Sequence, residues 1–308
     1  STWSLEKAPA VSAARAAADF VAQIFAEVAA PEPAPVVLPV AAQDGGEPVA
    51  DPVQAPAEPV GRPGEEMKPL QDQKIRILGL GASGLAMARW CVRCGAQVTV
   101  ADTREAPPQL AALQQELPQV RFVAGAFGAH LVQGQGLHAV YRSPGLSPDS
   151  VAPVFIAASA LGISTGGELS LYSMALATLR AAHGYAPAVL AITGTNGKTT
   201  VTSLTGQLVE RAGKTVAVAG NIGPTLLDTL ASHIDAGTLP QVWVLELSSF
   251  QLDGVVNFEP TAATVLNITQ DHLDWHGNMQ AYADAKARIF GQGAVMVLNR
   301  DEPAVMAM

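Results

Sequence analysis

A lysine and two threonines that close a glycine-punctuated loop form a phosphate-handling set. This sequence has one at Thr193-Gly194-Thr195-Asn196-Gly197-Lys198-Thr199-Thr200. An apolar run, Ala188 to Ile192, leads into the loop and a helical pattern leads out. Strand, Gly-rich loop and helix start make a cradle: the N–H groups of the loop and of the first helical turn face an anion, and the helix dipole adds to their field. Lys198 would reach terminal phosphates, and the Thr199 hydroxyl would stand where a phosphate-bound Mg²⁺ needs an oxygen. The general P-loop pattern wants glycine where this chain has Ile192, so an ordinary Gly turn is the alternative reading.

Three further residues bear on that chemistry. Glu246 ends the apolar run Val242-Trp243-Val244-Leu245. A carboxylate there is costly unless it is paired or binds a metal, and P-loop enzymes place a Mg²⁺-directed acid at such a strand end. His272 follows Asp271 just past another strand, where it could serve a metal or a substrate. His276 reads as part of the loop. From pattern alone Lys286 reads as one more residue on a solvated helical face.

The elements that must position these groups are strands alternating with helices. Lys74–Leu78 is a predicted strand that runs into Gly79-Leu80-Gly81-Ala82-Ser83-Gly84 and a helix ending near Gly95. A second strand ends in Asp102, about 20 residues on, where dinucleotide folds place a ribose-binding acid. That is a good fold signal and a poor cofactor signal, because fold does not imply ligand. Further strands are expected at 120–123, 137–141 and 163–165, with helices at 107–116, 150–161 and 168–182. Ser143-Pro144-Gly145 lies at a carboxyl edge of the sheet, where open α/β sheets bind ligands. After a linker at 183–187 the second sheet follows, with strands at 188–192, 215–219, 242–245, 261–268 and 294–298 and a helix at 277–290. The expected fold is α/β: a Rossmann-like parallel-sheet domain over 72–184, then a P-loop-type central ATPase domain over 186–308.

The 308 residues leave room for two domains. Hydrophobic residues make up 49% and charged ones 15%, enough for a sizeable core. A net charge of −9 argues against a nucleic-acid or anionic-membrane surface. No apolar run is long enough to insert in a membrane. The two cysteines, Cys91 and Cys94, read as helix packing, and so few suit a reducing cytoplasm. Residues 1–70 stand apart: an alanine-rich amphipathic helix over 12–30, then a proline-rich disordered linker over 31–64. The chain starts with Ser and stops soon after a strand-like run, so both ends look cut.

Taken together, Thr193 to Thr199, Gly220-Asn221-Ile222-Gly223, Leu245-Glu246-Leu247-Ser248-Ser249-Phe250-Gln251-Leu252, Asn267-Ile268-Thr269-Gln270-Asp271-His272-Leu273-Asp274 and Tyr282 to Phe290 resemble the Mur ligase family, in its D-glutamate-adding branch. The resemblance runs from about residue 74 to residue 301. It implies UDP rather than NAD in the first domain, held by Ala82, Ser83, Asp102, Thr103, Arg104 and Gly145. It implies Asn221 and His272 at the muramoyl-alanine end of UDP-N-acetylmuramoyl-L-alanine, with Ser248 as a further substrate-binding residue. ATP would sit on Gly194 to Thr200, with two Mg²⁺ ions held by Thr199, Glu246, His272 and a Lys286 carbamylated by CO₂; Lys198, Glu246, His272 and Lys286 would be the catalytic set. The implied reaction, in peptidoglycan precursor synthesis, is attack of the substrate carboxylate on ATP, then attack of D-glutamate on the acyl phosphate. A cytoplasmic monomer is expected rather than an oligomer.

Two departures stand out. The acidic pair after residue 163 is half present, as Glu168 with Ser170. The family's third domain is absent and the central one incomplete, so this chain is expected to be inactive alone. A nicotinamide-dependent dehydrogenase, a P-loop hydrolase, another Mur-type ligase and a non-catalytic nucleotide-binding module remain as alternatives.

Overall fold

Strands β1 (Lys74–Leu78), β2 (Gln97–Asp102), β3 (Arg121–Ala124), β4 (Ala139–Arg142) and β5 (Ser164–Gly166) form a parallel sheet in the order β3-β2-β1-β4-β5. β1 lies at its centre, and Ile75, Ile77 and Leu78 are fully buried, as expected for a strand covered on both faces. The structure is a computed structural model that describes residues 68–308. The expected helix over 12–30 and linker over 31–64 lie outside the described residues.

Helix α1 (Ala82–Arg93) follows β1, and α2 (Leu110–Glu116) follows β2. Between β4 and β5 runs α3 (Pro148–Ala160), started by Pro148 at its first position and by the Ser147 hydroxyl, which accepts from the Ser150 N–H at 3.3 Å. Helix α4 (Glu168–His183) ends at Gly184 with φ 66, the left-handed stop that glycine adopts without strain.

The second sheet is also parallel, in the order β10-β9-β6-β8-β7, from β6 (Ala188–Thr193), β7 (Val216–Gly220), β8 (Val242–Glu246), β9 (Ala262–Val265) and β10 (Val295–Leu298). Its helices are α5 (Lys198–Arg211), α6 (Leu226–Ala236), α7 (Ser249–Leu252), α8 (Leu273–His276), α9 (Met279–Ala287) and α10 (Pro303–Met306). The sequence reading places no element at α6. The long expected strand over 261–268 is only β9, and the helix expected over 277–290 is split into α9 and a 3₁₀ turn at Arg288–Phe290.

Both sheets fall within one compact unit and share a continuous apolar core. Helix α6 packs against α1 and α4 and so links the two layers. Trp243 on β8 is fully buried, meets the Tyr172 ring of α4 edge-on at 5.5 Å and donates to the Tyr185 hydroxyl at 2.9 Å. Such a buried aromatic contributes about 2–3 kcal/mol through removal of its surface from water. A second apolar cluster lies between the first sheet and α3, built on Leu78, Val140, Val151 and Val154. Cys91 and Cys94 are free and buried, and burial raises the Cys91 thiol well out of reach and the Cys94 thiol to about 11. Among the described residues no helix is long and apolar enough to cross a membrane.

Candidate active site

The phosphate loop is fixed by its glycines and by the strand beside it. Gly197 has φ 81 and Gly194 φ 157, and a side chain at Gly194 would meet the Leu266 Cβ at 3.0 Å. Asn267, just past β9, accepts from the Asn196 N–H through Oδ1 at 2.8 Å and donates back to the Asn196 carbonyl at 3.1 Å. The Thr269 N–H donates to the Thr195 hydroxyl at 3.0 Å, and that hydroxyl shares a second 3.0 Å bond with the Tyr282 hydroxyl. Lys198 lies along its own loop, donating to the carbonyls of Gly194 at 2.9 Å and Thr195 at 3.1 Å. Thr199 and Thr200 are exposed on the first turn of α5.

Lys286 is the correction that matters most to the pattern reading. Its helical face is not solvated: the side chain is 1% exposed. Its Nζ donates to the Thr193 hydroxyl at 3.1 Å and to the Gly194 carbonyl at 3.0 Å, and lies over the Tyr282 ring at 4.9 Å. Burial, reinforced by the charge of Lys198, brings its amine down to about 7, against a smaller upward pull from Asp271. Two lysines therefore share the carbonyl of Gly194, and one of them is close to neutral at physiological pH.

Glu246 ends β8 almost fully buried. Its Oε1 accepts from the Asn221 side chain at 3.4 Å, a long bond that leaves most of the carboxylate free to accept more. The Asn221 N–H donates to the Glu246 carbonyl at 2.8 Å. This pairing needs Gly220, because a Cβ there would stand 2.0 Å from the Glu246 carbonyl oxygen. Ser248 is occupied locally: it caps α7, accepting from the Gln251 N–H at 3.2 Å while Gln251 accepts from the Ser248 N–H at 2.9 Å.

His272 is an exposed residue in the left-handed conformation, φ 53, beside Asp271 at 3.3 Å. Its ring meets Phe250 at 4.7 Å and Tyr282 at 6.3 Å, so both His272 and Lys286 neighbour the Tyr282 ring. His276 is not mere loop. It hydrogen-bonds the Ser249 hydroxyl at 2.9 Å, stacks on Phe250, and is held below the usual histidine range first by burial. Among the described residues no three His, Cys, Asp or Glu side chains stand together as a metal site.

The loops of the first sheet converge as well. Gly84 approaches the Gly79 carbonyl so closely that a Cβ would lie 2.0 Å from it, and the Ser143 hydroxyl donates to the same carbonyl at 3.0 Å. Asp102 is 2% exposed, with its carboxylate turned inward. One oxygen accepts from the Leu80 N–H at 2.8 Å and the other from the Arg104 N–H at 2.9 Å. Burial alone would raise its pKa, but the bonds from Arg104 and Leu80 outweigh that and hold it low. Asp102 is thus first a brace for the glycine loop. Ala82, Thr103, Arg104 and Gly145 are exposed around that loop, with Ser83 half-buried on the first turn of α1.

One link that the sequence reading misses joins the carboxyl edges of the two sheets. Arg142, the last residue of β4 and 5% exposed, donates to Asp253 at 2.6 Å, and Arg288 donates to the other oxygen of Asp253 at 3.2 Å. The Arg142 guanidinium also lies over the Trp275 ring at 5.3 Å.

Comparison with known proteins matches residues 73–167 to the MurD-like N-terminal domain of Mur ligases and residues 192–308 to the Mur ligase middle domain. The chain belongs to the Mur ligase family. A curated UDP-N-acetylmuramoylalanine--D-glutamate ligase of Albidiferax ferrireducens is 69% identical over 242 residues, 79% of this chain and 48% of that protein. One of the same name from Burkholderia thailandensis is 59% identical over 245 residues, 79% of this chain and 47% of that protein. The chain thus spans about half the length of the curated relatives it matches. Among solved structures, MurF ligase from Thermotoga maritima in complex with ADP aligns at 15% identity with a TM-score of 0.39, over 78% of this chain and 46% of that one. In this Mur ligase the matched regions hold the glycine loop and Asp102 in the first domain, and Lys198, Glu246, His272 and Lys286 in the second.

Proposed function

We propose that this chain carries the nucleotide-sugar and ATP sites of the ligase that joins D-glutamate to UDP-N-acetylmuramoyl-L-alanine through an acyl phosphate. One observation supports this reading above the others. A buried lysine, Lys286, is held against the phosphate loop with its amine near neutrality. Simple ATP hydrolysis needs no second lysine there. A neutral amine can take up CO₂ to give a carbamate and a proton, which turns a cation into an anion suited to Mg²⁺.

ATP fits the loop in chemistry and in shape. Gly194 and Gly197 let the loop take the positive-φ turns that pack it against Leu266, and the N–H groups at the head of α5 supply donors. Lys198 would turn from the loop carbonyls to the transferring phosphate and offset its charge in the transition state. Mg²⁺ would be held by Thr199, Glu246, His272 and the carbamylated Lys286, supplying charge neutralisation at the phosphates. The groups around the glycine loop, Ala82, Ser83, Thr103, Arg104 and Gly145, would receive UDP, with Asp102 bracing them from within. Asn221 and His272 would face the muramoyl-alanine end, with Ser248 as a further substrate-binding residue. The substrate carboxylate would attack the γ-phosphorus with loss of ADP. The D-glutamate amine would then attack the acyl phosphate, forming the amide and releasing phosphate. The protein is proposed to work as a cytoplasmic monomer.

The test is phosphate release from ATP on the protein carrying this chain, given UDP-N-acetylmuramoyl-L-alanine with and without D-glutamate. Release that requires both is the expected result. Release that ignores D-glutamate would refute the assignment.

A further inference from the structure

Glu168 has no part in the chemistry above, yet it is 3% exposed at the first position of α4. Its Oε1 accepts from the Leu227 N–H, in the first turn of α6, at 3.1 Å. The Leu226 N–H and the Ser83 hydroxyl bear on the same carboxyl. Three helix starts therefore meet at one side chain: that of α1 through Ser83, that of α4, which it belongs to, and that of α6. The Thr225 hydroxyl does not cap α6, because it donates to Asp228 at 3.0 Å instead. The start of α6 thus depends on a group from the other sheet.

What α6 carries gives this contact its meaning. Immediately before it runs the loop Gly220–Thr225, closed by the Gly220 N–H on the Pro224 carbonyl at 3.0 Å. That loop places Asn221 on Glu246 through both its main chain and its side chain. A continuous series of contacts therefore leads from Ser83 through Glu168 and the α6 start to Asn221 and Glu246.

We infer that Glu168 is a positioning residue, coupling occupancy of the glycine loop at Ser83 to the placement of Asn221 and Glu246 beside the phosphate loop. The inference rests on the functional reading above. A ligand phosphate that recruits the Ser83 hydroxyl changes the partners left to Glu168. The carboxyl then redistributes between Ser83 and the Leu226 and Leu227 N–H groups, and the α6 start moves with it. Burial alone is expensive for a carboxyl, and burial is the main cause that lifts its pKa to about 7.

The test is calorimetric binding of AMP-PNP with Mg²⁺ to this chain, with and without saturating UDP-N-acetylmuramoyl-L-alanine. The wild type is expected to bind AMP-PNP about tenfold more tightly when the UDP ligand is present, within the ordinary range of coupling between sites. Glu168→Ala is expected to bring that factor to within about twofold of unity, with each ligand alone bound within about threefold of wild type and formate restoring part of the coupling. Glu168→Gln keeps the size and one acceptor, and is expected to retain less than a third of the factor; it decides the matter if the alanine variant does not fold. Wild-type coupling in either variant overturns the inference, as does a loss in Glu168→Ala that formate leaves untouched. A wild type that binds both ligands without coupling overturns it while leaving the ligase reading intact. A wild type that binds neither removes both.

Discussion

Replacing Lys286 by methionine should abolish the proposed ligase activity of the protein carrying this chain and yet stabilise the fold at neutral pH. The amine falls from 10.5 in an open chain to about 7 here, chiefly through burial. Between those values the unfolded chain binds a proton that the folded protein refuses, so stability from this group rises with pH and is lost as pH falls toward 7. The penalty comes to about 4 kcal/mol at pH 7.5 and about 1.5 kcal/mol at pH 9.5. Methionine fills a similar volume without it, but forfeits the bonds to Thr193 and Gly194 at a cost of about 1–3 kcal/mol. The variant should therefore be more stable than wild type by about 1–3 kcal/mol at pH 7.5, and equal or weaker at pH 9.5. The difference between the two pH values, about 2–3 kcal/mol, does not depend on the bond cost. Urea unfolding in CO₂-free, Mg²⁺-free buffer, followed by tryptophan fluorescence, measures it. A difference under about 1 kcal/mol would show an ordinary, charged Lys286 and remove the reason for expecting a carbamate there.

Three other outcomes are expected. Glu168→Gln should flatten the pH dependence of stability: with the native pKa raised from 4.5 to about 7, wild type is favoured below 4.5 and loses about 2–3 kcal/mol by pH 8, and unfolding curves at pH 5 and pH 8 read this directly. Gly220→Ala should cost roughly 3 kcal/mol or more in thermal unfolding, since φ 135 and a carbonyl 2.0 Å away leave its methyl no room. Asn267→Ala should weaken ATP binding about tenfold in calorimetry, with little loss of affinity for the UDP substrate, because its two bonds hold only the phosphate loop.

What the sequence discloses follows the range of the forces involved. The phosphate loop is readable because glycine spacing, the lysine and the preceding apolar strand are all local. The alternation of strands and helices is readable for the same reason, including the strand ends at Asp102 and Glu246. Lys286 is not: the hydroxyl of Thr193 and the carbonyl of Gly194 that receive its buried amine lie more than ninety residues away, and only the family resemblance points to it. The start of α6 escapes because its cap, Glu168, lies 59 residues upstream. Thr225, Gly237 and the spacing of Leu226, Leu227 and Leu230 did offer a local signal for that helix. The expected strand over 261–268 runs too long because Leu266 and Asn267 look sheet-like but turn away to lock the phosphate loop. Asp102 looks like a ligand-facing acid by position, and only its three-dimensional partners show it turned inward.

The reciprocal bonds between Asn196 and Asn267 have a consequence for binding kinetics. Ordering a loop around a ligand ordinarily spends conformational entropy at the moment of capture. Here side-chain and main-chain groups of β9's exit hold the loop in its curved form before any nucleotide arrives, so little of that entropy remains to be lost. Capture can then proceed nearly as a rigid encounter, and differences in nucleotide affinity among variants of this loop should appear in the rate of departure rather than in the rate of arrival.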